Sequence, residues 1–283
     1  MKTVHTSYKP ERPASAQGNF YQPITNTIGP GMNERIQKLR KLSFETEPSL
    51  SIERALIQTN FYKENFGKYS IPVLRGLNFL EICKQKTIYI GEGELIVGER
   101  GPSPKAVPTF PELTCHNVED FHVLNTREMQ RYTISQDDID IYKKEVIPYW
   151  EGKTMRERIF KHVPEEWSRV YESGLFTEFM EQRAPGHTCL DGKIYKKGML
   201  DFIKEIQYHI DRLDFLNDPE ATDKKEQLEG MKISCDAVIV FAERHAKLAE
   251  ELAKSESDSN RKEELLKIAE VCRWVPANAP RNF

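Results

Sequence analysis

The sequence predicts a mainly α-helical chain with a few short strands, an α+β protein in which helices dominate. Three observations predict it. In the C-terminal third Ile233, Ala237, Val240, Phe241, Arg244, Leu248 and Leu252 recur at intervals of three and four, the spacing of one stripe on a long helix. Helix-start signals recur through the middle of the chain: Ser135 stands three residues before Asp138, and Thr154 and Pro164 each open a further helix. Between Thr87 and Gly98 the period changes. Thr87-Ile88-Tyr89-Ile90 and Glu94-Leu95-Ile96-Val97-Gly98 flank Gly91-Glu92-Gly93, which reads as a short strand or extended segment on each side of a turn.

Taken in order, residues 1–32 form an arm, because Pro10, Pro13, Pro23 and Pro30 interrupt any regular element and the composition is polar. Residues 33–283 form the folded part. Asn33 is an N-cap candidate for a helix with Ile36, Leu39 and Leu42 on one face, and Ser51 caps a second helix carrying Ile52 and Leu56. An aromatic patch of Phe61, Tyr62 and Phe66 follows. Pro72 starts a third helix through Leu74, Leu77, Phe79, Leu80 and Ile82, closed by Lys84-Gln85-Lys86. Residues 101–111 are proline-rich and read as irregular. After Ser135, Ile139, Tyr142 and Val146 share a helix face up to Pro148; Thr154 begins a helix with Met155, Arg158 and Ile159, and Pro164 another containing Trp167. The long C-terminal helix ends in a polar turn at residues 255–260, and Glu264, Leu265, Ile268 and Val271 begin its partner. His245 lies beside the stripe and reads as a half-exposed helix histidine.

At 283 residues and 39% hydrophobic composition the chain can bury a sizeable core. Forty-one basic against forty-four acidic residues give a net charge of -3 with no basic stripe, which argues against nucleic acid as a partner. The apolar run from Ala237 to Ala242 is too short to span a bilayer, so no membrane partner is expected. Cys83, Cys115, Cys189, Cys235 and Cys272 are unpaired in spacing, which fits a reducing cytoplasm and no disulfide framework or zinc ribbon. Cys115-His116 is a tempting metal pair, yet adjacent residues rarely point at one ion, so loop packing is the expectation and no metal site is assigned. The glycines at 91 and 93 lack the spacing and the following Lys-Ser/Thr of a phosphate loop.

The segment from Glu178 to Thr188, reading Glu-Phe-Met-Glu-Gln-Arg-Ala-Pro-Gly-His-Thr, carries the most functional information. Leu175, Phe179 and Arg183 repeat every four residues, so residues 174–184 read as a short amphipathic helix that Pro185-Gly186 ends. His187 then sits on a loop at a helix terminus. There an imidazole either faces a cavity or caps the turn, and spacing alone leaves both open.

This segment, with Ser51-Ile52-Glu53-Arg54-Ala55, Ile71-Pro72-Val73-Leu74-Arg75, Leu95-Ile96-Val97-Gly98-Glu99 and Val146-Ile147-Pro148-Tyr149-Trp150, resembles the N-terminal part of pyruvate formate-lyase-like glycyl radical enzymes. The segment ending in His187 looks most like the hydroxyproline dehydratase branch. The resemblance covers nearly everything from Asn33 to Phe283. It implies the helical N-terminal portion of a ten-stranded α/β barrel, cut before most of the barrel. It implies a lyase that dehydrates trans-4-hydroxy-L-proline or a similar small hydroxylated substrate, with Phe179 and His187 facing the substrate and His187 catalytic. The radical-bearing glycine and the cysteine it oxidises fall downstream of this chain, so no local cysteine is assigned to chemistry and no cofactor to these residues. The implied partners are a small-molecule substrate, an S-adenosylmethionine, iron-sulfur activating enzyme that installs the glycyl radical, the remaining C-terminal part of the same enzyme, and a second copy in a homodimer once complete. The implied setting is an anaerobic cytoplasm. Other branches, among them diol dehydratases and carbon-sulfur or carbon-nitrogen lyases, remain open, as does a stand-alone helical interaction module derived from the same domain.

Overall fold

The computed structural model describes residues 33–175 and 190–282. The arm at residues 1–32 and the segment holding Phe179 and His187 lie outside them. Helix α1 (Glu34–Glu45) opens as expected: the Asn33 side chain accepts the Ile36 N–H at 3.0 Å. No residue of α1 is buried.

From Phe44 onward the described chain forms one unit. Its only named strands are β1 (Ser49–Ser51) and β2 (Ala106–Pro108), parallel and in register Ser49 to Ala106 and Ser51 to Pro108. They do not stand where the change of period suggested. Residues 87–98 are extended but unladdered, because side chains take the role of a partner strand: Arg261 donates to the carbonyls of Gly91 (3.1 Å) and Glu94 (2.9 Å), and the Glu94 carboxylate accepts the Gly91 N–H at 2.9 Å. Conversely, the proline-rich stretch after residue 101 yields β2. Pro108, which lacks an N–H, ends the strand, and the next N–H, of Thr109, reaches Ser51 O at 3.2 Å. Ser51 therefore closes β1. Ile52 rather than Ser51 occupies the N-cap of α2 (Glu53–Asn65), although the Ser51 hydroxyl accepts a long 3.4 Å bond from Glu53 N.

Helices α2, α4 (Val118–Thr126), α5 (Gln136–Glu145) and α6 (Ile147–Trp150) enclose one core of Ile52, Ala55, Phe121, Ile139, Tyr142, Val146 and Trp150. Ser135 caps α5 through Asp138 N at 3.1 Å, as its spacing implied; α4, started by an Asn117–Asp120 capping box, had not been anticipated. Inside this core the Thr59 hydroxyl donates to Ala55 O at 2.6 Å and accepts the Trp150 indole N–H at 2.9 Å, so neither polar group is left unpaired. Thr154 and Glu157 form a reciprocal box that starts α7 (Met155–Phe160). Helix α8 (Glu165–Glu172) begins at Pro164.

After a 3-10 turn at Asp191–Tyr195 come α9 (Met199–Ile210), α10 (Ala221–Ser255) and α11 (Ser259–Trp274). Helix α10 spans 35 residues and packs on α3 (Ile71–Gln85), α9 and α11. Packing on three partners explains why its buried residues are mostly small. Ala237, Ala246, Ala249 and Ala253 are buried, while the longer side chains of the expected stripe are only partly covered. His245 is a correction: it is buried, 2% exposed, and edge-on to Phe241 at 4.5 Å. The polar turn shrinks to residues 256–258, and Asp258 caps α11 through Arg261 N at 2.8 Å.

Candidate functional site

The residues that frame the His187 segment are built as a brace. The Arg156 guanidinium lies 4.4 Å over the Phe160 ring and 5.4 Å from that of Tyr171, and donates to the Tyr171 hydroxyl at 2.9 Å. Trp167 stacks on Tyr171 at 5.4 Å and meets Phe160 edge-on at 5.6 Å. This clasp ties α7 to α8. Gly174 follows at φ 75°, so α8 does not run on into the expected 174–184 helix; of that helix only Gly174 and Leu175 are described, and both are non-helical. Phe179, Glu181, Arg183 and His187 all lie outside the described residues. Beyond them Leu190 and Asp191 are left-handed, at φ 68° and 49°.

Elsewhere, charged side chains inside the unit are spent on holding backbone. Arg54 donates to both carboxylate oxygens of Glu112, to Gln58 (2.9 Å) and to Thr109 O (3.2 Å), and stacks 4.1 Å over Phe110. Lys86, at the end of α3, is 8% exposed and donates to the carbonyls of Glu99 (2.6 Å) and Arg100 (2.8 Å) above the Phe241 ring; burial lowers its pKa. Arg244 on α10 reaches Cys83 O and Lys86 O at 2.7 and 2.8 Å. Reading the sequence alone missed these braces.

Cys115 and His116 do pack in a loop. The Cys115 sulfur lies 3.8 Å from the Tyr142 hydroxyl, and burial pushes the thiol up to about 11 and raises Tyr142 as well. Burial lowers the pKa of His116 in spite of Asp120 at 3.7 Å. Cys83 is likewise pushed up to about 11, and burial raises Cys235 and Cys272 too, so burial disfavours the thiolate at each described cysteine.

A cleft of about 1130 Å³ opens beside β1, α2, the end of α3 and the start of α5. Glu53, Glu64, Glu81 and Asp138 line it, and no Lys, Arg or His does among the described residues. Such a cleft repels a carboxylate ligand.

The family model described as pyruvate formate lyase-like matches residues 32–283. The chain belongs to that family. Among pyruvate formate lyase-like proteins it is 46% identical over 253 residues to trans-4-hydroxy-L-proline dehydratase of Clostridioides difficile, covering 89% of this chain and 32% of that enzyme. The crystal structure of that dehydratase, with trans-4-hydroxy-L-proline bound, superposes with a TM-score of 0.85 over 89% of this chain and 32% of the other. A glycyl radical enzyme from Archaeoglobus fulgidus gives a TM-score of 0.77 at 31% identity, over 88% of this chain and 32% of that one. Isethionate sulfite-lyase of Nitratidesulfovibrio vulgaris is 30% identical over 89% of this chain and 31% of its own length. The chain spans about a third of the length of the curated relatives it matches. The mostly helical architecture with few strands is thus that of the matching part of glycyl radical enzymes, a family of lyases and dehydratases.

Proposed function

We propose that the chain is the N-terminal portion of a glycyl radical dehydratase that removes water from trans-4-hydroxy-L-proline or a similar small hydroxylated compound. One observation carries the reading: the 46% identity and 0.85 TM-score to an enzyme that bears that name and was crystallised with that substrate. The hydrogen-abstracting radical machinery, and most of the barrel around it, belong to the remaining C-terminal part of the enzyme, charged by a separate S-adenosylmethionine-dependent activating enzyme. These residues supply scaffold and pocket wall. His187 donates a proton to the departing hydroxyl oxygen, which an imidazole can do near neutral pH, and Phe179 closes one side of the substrate ring against water. The clasp of Arg156, Phe160, Trp167 and Tyr171 supports this role by fixing the helix pair from which the segment departs.

The test is a chimera in which this chain replaces the matching third of the Clostridioides difficile dehydratase, activated without oxygen. It should consume trans-4-hydroxy-L-proline, and His187→Ala should lower turnover roughly a hundredfold or more with little change in melting temperature. Equal turnover in the variant removes His187 from the mechanism. A second reading, carbon-sulfur cleavage, draws on the 30% identity to isethionate sulfite-lyase; a chimera that releases sulfite from isethionate and leaves hydroxyproline intact would favour it.

A further inference from the structure

The acidic cleft beside α2 takes no part in the chemistry above, yet it is built to be filled. Its walls carry Glu53, Glu64, Glu81 and Asp138, and its lining also holds Leu56, Ile57, Phe61 and Ile141. Ile141 is 42% exposed. Glu53 already accepts the Thr87 N–H and hydroxyl and Asp138 the Ser135 hydroxyl, whereas Glu64 and Glu81 have no cation beside them among the described residues and stand near exposed hydrocarbon, whose contact with water is costly. A surface that is apolar with basic residues at its edges complements both features.

The backbone of the cleft decides how such an occupant docks. β1 pairs with β2 on one side, and Leu50 N donates to Thr133 O at 2.8 Å while Thr133 N donates to Pro48 O at 2.9 Å. Both edges of β1 are used, so strand addition is closed and the occupant must dock through side chains. The opening, at about 1130 Å³, is larger than most small-molecule pockets, which run to about 1,000 Å³, and suits a helix about 10–12 Å across.

We propose that the cleft seats an amphipathic, lysine- or arginine-bearing helical segment from the part of the enzyme that these residues do not include. The proposal rests on the functional reading above, and the 32% coverage of the dehydratase supplies the source: two-thirds of that relative lies outside the match. The charge pattern gives the chemistry. Glu64 and Glu81 meet the basic residues, and Ile141 and Leu56 take the apolar face.

Carbodiimide labelling of carboxylates, read by mass spectrometry, tests it on the 283-residue chain and on the joined chimera. Glu64 and Glu81 should label about tenfold less in the chimera, with Glu263 on α11 unchanged as control. The pair Glu64→Lys with Glu81→Lys, and separately Ile141→Asp, should lower the melting temperature of the chimera more than that of the 283-residue chain; Glu263→Lys should not. Equal labelling in both proteins overturns the proposal, as does equal destabilisation by the cleft variants. So does protection that grows with concentration of the 283-residue chain alone, which would mean a second copy fills the cleft. Turnover separates the two readings: an active chimera with open carboxylates sinks only the seat, and a protected but inactive chimera sinks only the dehydratase assignment.

Discussion

Replacing Gly230 with alanine puts a methyl group into the tightest helix crossing of the molecule. In an ordinary helix interior the change would help by about 1 kcal/mol, because alanine is the better helix former. Here a Cβ on Gly230 would stand 2.5 Å from Pro72 O and 2.8 Å from Pro72 C, both backbone atoms of α3. A carbon–oxygen contact ordinarily sits at about 3.3–3.6 Å, so α3 and α10 must part by close to 1 Å. That movement loosens the packing of Leu74 and Ala237, both buried completely. Overpacking of this kind costs about 1–3 kcal/mol, and a clash with backbone, which cannot rotate away, belongs at the upper end. Set against the propensity gain, the net loss is about 2 kcal/mol, or a fall in melting temperature of about 4 °C or more. Gly76→Ala repeats the clash from the other side, 2.7 Å from Gly230 O. Once the helices have parted, the second methyl meets less resistance, so the double variant should lose less than the sum of the singles. Thermal unfolding followed by far-UV circular dichroism measures all three, with Gly192→Ala, where nothing lies within 4 Å, as the neutral control. A Gly230→Ala protein as stable as the parent would refute the close approach of α3 and α10.

Two further expectations follow from buried polar groups. Burial, aided by Lys86 and Arg244, lowers the pKa of His245 from 6.5, although the Phe241 carbonyl 2.9 Å from Nδ1 opposes it; His116 is lowered by burial too. Below pH 6.5 the unfolded chain therefore binds more protons than the folded one, and stability present above that pH is lost as pH falls towards the depressed folded values, by up to about 1.4 kcal/mol per unit for each histidine. Urea midpoints from pH 8 to 5 should show this loss, and His245→Gln should flatten it; an unchanged slope would assign the dependence elsewhere. Arg54→Met removes the charged donor to Glu112, Gln58 and Thr109 O and should cost about 2–3 kcal/mol in urea unfolding, with Arg54→Lys restoring only part because a lysine cannot fork. A loss below 0.5 kcal/mol, the size typical of an exposed pair, would show that the network is solvated rather than a brace.

Helix starts were legible at three of the sites where a local side chain does the capping, while the equally local caps of Asn117 and Asp258 went unread. Asn33, Ser135 and Thr154 each accept from a backbone N–H three residues on, and that bond needs no distant partner. The strands were not legible, because β1 and β2 are three residues each and are specified by neighbours far along the chain, such as Thr133, rather than by their own alternation. The stripe on α10 was placed on the large apolar residues. A helix packed on three sides buries instead the small ones that let its partners approach, and His245 is buried with them. The segment named as the site, with Phe179 and His187, lies outside the described residues, so its reading rests on its sequence.

The short blocks that carry the family resemblance divide by physical role. Arg54 in the first holds Glu112 and Thr109; Pro72 in the second offers its carbonyl to the Gly230 crossing; Glu99 in the third accepts the Lys86 ammonium; Trp150 in the fourth is bonded to Thr59. Each locks one element to another, and none needs to touch a substrate to be useful. The chain is 46% identical to a hydroxyproline dehydratase and 30% identical to isethionate sulfite-lyase over much the same span, so one scaffold underlies both. Braces of this kind hold the fold and are nearly silent on the bond broken. On the proposed function, the choice of substrate within this chain would fall on Phe179, His187 and the residues between them. Substitutions there, unlike those in the well-packed helices, should then change the substrate consumed while leaving the melting temperature in place.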